Sequence, residues 1–95
     1  MKQSLRELER ALKALANRRR LAIIKHLQKK QEATVGEIAQ TINLSFKSTS
    51  RHLSILFAAL IVEKEQRSLE VWYRLSPKQY PVVKHMINYI PNSHE

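Results

Sequence analysis

One glycine, Gly36, and three prolines, Pro77, Pro81 and Pro91, are the only strong backbone breakers in a chain of 95 residues. Gly and Pro are where a chain most readily turns, so a sequence this poor in them has long uninterrupted stretches that must fold as regular elements. The expectation is a mostly helical protein. No linker, low-complexity segment or internal repeat divides it, and its length suits a single small domain spanning residues 1–95.

Capping chemistry divides the stretches. Ser4 caps a first helix to about Ala16, whose apolar residues Leu5, Leu8, Leu12 and Leu15 follow a three-four-three spacing. That is a narrow seam suited to one partner helix. Lys2, Arg6 and Arg10 follow one another every four residues on its other side. Like charges at that interval repel, so this row does not serve helix stability. Asn17 caps a second helix, Arg18 to about Lys29, with Leu21, Ile24 and Leu27 as its buried stripe. Thr34 and Glu37 have capping-box spacing and start a short third helix with Ile38 and Ile42 on one face. "NLS" turns the chain, and Ser45 caps a fourth helix ending near Leu60.

From Ile61 the period changes. Val71, Tyr73 and Leu75 alternate with Glu70, Trp72 and Arg74, which reads as the second strand of a hairpin with its tip at Gln66, Arg67 and Ser68. Trp72 and Tyr73 read as core or interface rather than as a base-stacking platform. Pro81 opens a last helix, about 81–90, with Val83, Met86, Ile87 and Ile90 on its apolar face. The resulting order, ααααββα, is mainly α with a small β-hairpin: a winged helix-turn-helix.

The charge narrows the partner. Seventeen Lys and Arg against eight acids give +9, and residues 1–30 hold ten of those cations with only two Glu, a local +8. A small domain this basic points to a polyanion, with double-stranded DNA ahead of an anionic membrane surface. The chain has no cysteine, so disulfides and thiolate sites are excluded, and a reducing, cytoplasmic setting is expected. No apolar run at the N-terminus reads as a leader or membrane span.

The fourth helix carries the most specific signal. On a helical wheel Phe46, Leu53, Leu56, Phe57 and Leu60 group on one face with Thr49 beside them, and Lys47, Ser48, Arg51 and Ser54 group opposite. A solvated face is usually made of long Glu and Lys side chains. This one is short-chained, hydroxylic and basic, as a helix must be to enter a major groove. Arg51 can fork onto guanine, Lys47 can reach a guanine or a phosphate, and the hydroxyls can meet base edges or phosphates. Ser45 at the helix start offers backbone N–H groups to a phosphate. Lys64 and Arg67 on the hairpin can contact phosphates or the neighbouring minor groove.

"ALKALANRRRLAIIKHL", "ATVGEIAQTINLSFKSTSRHLSIL" and "VWYRL" together closely resemble the ArsR/SmtB-type winged-helix transcriptional repressors, over about residues 5–76. The resemblance implies a homodimer on operator DNA, joined by its first and last helices (residues 4–16 and 77–90). Leu5, Leu8, Leu12, Val83, Met86 and Ile90 are the expected interface. By position it favours Lys47, Ser50 and Arg51 as DNA contacts, with Ser45 and Ser48 next. The chain departs from the pattern at Phe46, where a polar residue is common. It departs again at Thr49, where an aliphatic is usual, and in "FAALIV", which lacks the glycine common before the hairpin.

Metal sensing, for which the resembled family is best known, finds no support in the residues. The third helix has no cysteine. His85 follows Val83 where an acid is needed, His94 and Glu95 are wrongly spaced, and His26 and His52 fall on other elements. No cofactor is expected. No supported Ser–His–acid set or phosphate-binding glycine loop is present, so no enzyme is expected either. The expected function is a sequence-specific repressor. A sequence-neutral architectural DNA-binding protein, or an interaction module with a vestigial helix-turn-helix, are the alternatives.

Overall fold

The computed structural model describes residues 3–92. Its order is α1 (Leu5–Leu15), α2 (Arg18–Lys30), β1 (Glu32–Thr34), α3 (Val35–Ile42), α4 (Phe46–Ala58), β2 (Val62–Arg67), β3 (Glu70–Leu75) and α5 (Pro81–Ile87). The caps read from sequence are all made. The Ser4 hydroxyl accepts from Glu7 N–H at 3.1 Å, and the Glu7 carboxylate accepts from Ser4 N–H at 3.0 Å. Asn17 accepts from both Arg19 and Arg20 N–H, Thr34 and Glu37 form their box, and Ser45 accepts from Ser48 N–H. Each cap satisfies helix N–H groups that have no partner inside the helix.

The hairpin is not alone. The three residues of β1 pair antiparallel with β3, placing β3 in the middle of a three-stranded sheet of order β1-β3-β2. Ala33 lies opposite Tyr73, and both are buried. Sequence periodicity missed β1 because three residues are too few to show a period.

One hydrophobic core draws on every helix and all three strands. α1 meets it through Leu15 and through Ala11 and Ala14, whose small side chains let the helix lie close, while Leu5 and Leu12 stay exposed. α4 meets it through Thr49, Leu53 and Leu56, all fully buried. The Thr49 hydroxyl donates back to the Ser45 carbonyl at 2.8 Å, so this buried polar group is satisfied where the family pattern would place an aliphatic.

The described residues correct three sequence expectations. Phe46, Phe57 and Leu60 do not share the core face of α4; each is exposed, Phe46 by 63%. They lie toward the two ends of α4, away from the buried Thr49, Leu53 and Leu56 at its middle. The last helix stops at Ile87 rather than 90, and residues 88–90 turn through weak helical hydrogen bonds. Val83, expected at a dimer interface, is 1% exposed, because with Ile87 it forms the inward side of α5. The start of α5 is tied to α1 within the protomer: the Tyr80 hydroxyl donates to the Glu7 carboxylate at 3.0 Å.

The exit from α4 differs from the exit from α3. Leu44 N–H and Asn43 N–H close α3 onto the carbonyls of Ala39 and Gln40, with Asn43 left-handed at φ 57°. Ile61 N–H and Leu60 N–H close α4 onto Leu56 and Phe57 in the same pattern, but the left-handed residue is Leu60, at φ 64°. This is where "FAALIV" lacks its glycine. A residue with a Cβ stores about 1 kcal/mol of strain in this conformation.

Candidate nucleic-acid interface

α4 is clamped at three levels: capped at Ser45, packed through Thr49, Leu53 and Leu56, and closed at Leu60. Its remaining faces are therefore held in a fixed orientation. Lys47, Arg51 and Ser54 stand exposed along the outer side, and none makes a hydrogen bond or ion pair with the described residues. Ser45 is exposed, with its hydroxyl engaged in the cap. Ser48 and Ser50 are half-buried on the two flanks. So the structure brings Lys47, Arg51 and Ser54 together as a free surface, with Ser48 and Ser50 at its edges.

The hairpin candidates separate. Lys64 Nζ stands 4.5 Å from the centre of the Phe57 ring, on the α4 side of the sheet, and has no carboxylate partner among the described residues. Arg67 lies on the other face. It pairs with Glu32 at 2.7 Å and Glu65 at 2.9 Å, and its guanidinium covers the Trp72 ring at 5.0 Å. Arg74 joins the same ladder through Glu63 and Glu65. These contacts raise the pKa of both arginines, through hydrogen bonds first to Glu32 and Glu63 respectively, and lower that of Glu65 through hydrogen bonds to Arg67 and then Arg74. Trp72 is half-buried beneath Arg67, and Tyr73 is in the core, so neither is open for base stacking.

On the opposite flank of α4 a contact appears that sequence reasoning did not find. Arg20 of α2 donates through Nε to the Ala14 carbonyl at 2.6 Å and through Nη2 to the Lys13 carbonyl at 3.1 Å. Its Nη1 lies 3.2 Å from Nδ1 of His52 on α4. A guanidinium can only donate, so Nδ1 accepts and the ring proton sits on Nε2. Burial, and then the charges of Arg20, Arg19 and Arg51, push the His52 pKa down and keep the ring neutral. Arg20 thus joins the end of α1 to the middle of α4. No local signal could have revealed it, since the partners are 32 residues apart.

Among the described residues no three His, Cys, Asp or Glu side chains cluster as a metal site would require, and His94 and Glu95 lie outside them, as does Lys2 of the α1 basic row. No helix among the described residues is long and apolar enough to cross a membrane.

A capped helix on a two-helix base, its outer face basic and unpartnered, with a three-stranded sheet beside it, defines a winged helix-turn-helix regulator of the DNA-binding class. Comparison with known proteins places it further. The family described as "Bacterial regulatory protein, arsR family" matches residues 17–64, just over half of the chain, and the chain belongs to that family. HlyU from Vibrio cholerae is similar at 34% identity over 93% of this chain and 91% of its own, with a TM-score of 0.76. The transcriptional repressor PagR of Bacillus anthracis is 25% identical over 92% and 95%, with a TM-score of 0.75. The homodimeric winged helix-turn-helix DNA-binding domain Mb0332 from Mycobacterium bovis is 28% identical over 90% and 82%, at 0.74. No curated protein matches the chain.

Proposed function

We propose that this regulator is a homodimeric repressor that reads operator DNA in the major groove with α4 and flanks it with the hairpin of residues 61–75. The observation that carries the reading is the outer face of α4: Lys47, Arg51 and Ser54 are exposed and uncommitted on a helix whose opposite side is fully buried. Arg51 contacts a guanine edge, Lys47 a guanine or phosphate, and Ser45, Ser48 and Ser50 supply hydroxyl or backbone contacts at the groove walls. Phe46, exposed in the first turn, offers an apolar edge to a thymine methyl. Lys64 contacts the flanking backbone from the α4 side of the hairpin. Arg67 does so only by giving up Glu32 and Glu65.

The dimer follows from what α1 and α5 leave uncovered. Leu5 is 86% exposed and Tyr89 69%, with Leu12 and Met86 each near half. Leu12, Met86, Tyr89 and Ile90 line an apolar depression of about 360 Å³. Contiguous apolar surface of this kind is what an interface between copies removes from water. The homodimeric state of Mb0332, which shares the fold, supports the same reading.

Selection of bound duplexes from a random pool tests the function. Recovery of a two-fold related sequence, with half-sites about one helical turn apart, is expected. Equal affinity for selected and random duplexes at the same salt would instead establish a sequence-neutral architectural protein.

A further inference from the structure

The basic row on α1, Arg6 and Arg10 among the described residues, makes no ion pair there, although the charge of Arg10 contributes to lowering the Glu7 pKa. In the structure the row borders a cleft of about 290 Å³ between α1, α2 and α4, lined by Arg6, Glu9, Arg10, Lys13, Ala14, Arg20 and Ile55. Four of these seven side chains are cationic and one is acidic. Glu9 is only loosely paired with Lys13, at 3.8 Å, with both side chains largely in water. Arg20 is half-buried and has no carboxylate partner among the described residues, and burial lowers its pKa. Three of its five N–H donors are taken up by Ala14, Lys13 and His52, which leaves two over. A partly desolvated guanidinium without a counter-charge is an arrangement that an incoming anion relieves.

The cleft adjoins the reading helix. Ile55 lies one turn beyond Arg51 on α4, and Arg20 holds His52 between them. On its other edge the cleft borders the apolar seam: Glu9 and Lys13 also line the depression formed by Leu5, Leu8 and Leu12, whereas Arg6, Arg10 and Arg20 do not.

The geometry points to a second phosphate-binding track: the cleft of Arg6, Arg10, Lys13 and Arg20 takes backbone phosphates of the same duplex, outside the base pairs that α4 reads. This rests on the DNA-binding reading above. It adds contacts that are blind to sequence and that lengthen the stretch of DNA each protomer covers. It also explains why so much of the chain's positive charge lies away from the outer face of α4.

The test measures affinity against salt for the wild-type chain and the Arg6→Ala/Arg10→Ala double variant. Each is measured on a selected duplex with long flanks and on the same duplex trimmed to its core. Each phosphate contact removed should lower the slope of log K against log salt by about 0.9, which is roughly an order of magnitude in affinity at 0.1 M salt. The loss should be equal on selected and random long duplexes and absent on the trimmed one. Glu9→Gln, which removes the one acid among the described residues lining the cleft, should tighten binding to the long duplex. Circular-dichroism melting checks that both variants fold; the substituted side chains are exposed. An unchanged slope in the double variant, with wild-type specificity intact, would overturn the inference alone. Loss of wild-type discrimination between duplexes would overturn the functional reading and this inference with it. Thermal stabilisation by inorganic phosphate, with no effect of the variants on long duplexes, would assign the cleft to a free oxyanion and also overturn it.

Discussion

Arg67 and Lys64 stand three residues apart on β2, on opposite faces of the sheet. Arg67 is held by two carboxylates and a tryptophan ring; Lys64 has only the face of Phe57. The same contrast runs through the whole molecule. On the outer face of the sheet, Glu32, Glu63 and Glu65 neutralise Arg67 and Arg74. Around α4, Lys47, Arg51, Arg20 and Lys64 have no acidic partner among the described residues. Sequence charge alone treats these cations as equal. Their surroundings divide them into a cross-linked, electrically closed face that stiffens the sheet and an open face whose field is available to a polyanion.

The largest effect on stability should come from Arg20, on the open side. Arg20→Met keeps the stem but removes three hydrogen bonds, two of them to carbonyls at the end of α1, and should destabilise by about 2 kcal/mol. Chemical denaturation measures it; a change as small as that expected for Arg67 would erase the distinction. Leu60→Gly comes next, with a gain of about 1 kcal/mol or somewhat less, because relief of the left-handed strain outweighs the partial burial lost. A loss on thermal melting would show that the leucine side chain matters more than its backbone. Arg67→Ala should change stability least of the three, as the loss of exposed ion pairs does, and should change DNA affinity by less than about threefold.

Acid should separate the two faces. The folded-state pKa of His52 is depressed, so its contribution is complete above the ordinary histidine value and falls away as pH drops through the folded value. Glu65 is also depressed, but from the carboxylate range, so its contribution is lost only at lower pH. Stability followed by melting should therefore decline in two stages. His52→Gln should remove the upper stage and leave the lower one. A single stage, unchanged in the variant, would show that His52 is not held neutral by its arginine neighbours.

How much of this was legible in the sequence follows the range of each interaction. Ser4, Asn17, Thr34 with Glu37, and Ser45 mark helix starts through bonds spanning two or three residues, and every one of those starts is where the residues put it. Tyr73 inward and Trp72 outward follow from strand alternation. What failed depends on distant parts of the chain. Strand β1 exists only because β3, some forty residues later, supplies its partners. Phe46, Phe57 and Leu60 lie on or beside the apolar side of α4 on a wheel, but toward its two ends, where they stay exposed. The wheel likewise could not tell that Val83 turns inward while Met86 turns out. The residues alone rank Arg51, a guanine contact, ahead of Arg67, a contact to phosphates or the minor groove, but they do not show the carboxylates that hold Arg67.

That last pair gives the most direct test. Affinities for a selected and a random duplex at one salt concentration yield a specificity ratio for each of Arg51→Ala, Arg67→Ala and the wild-type chain. Arg51→Ala should lower the ratio by about 10- to 100-fold, the value of a bidentate guanine contact of roughly 1–3 kcal/mol. Arg67→Ala should leave the ratio unchanged. If instead Arg51→Ala weakens both duplexes equally, or Arg67→Ala is the variant that loses discrimination, α4 is not the helix surface that reads the operator.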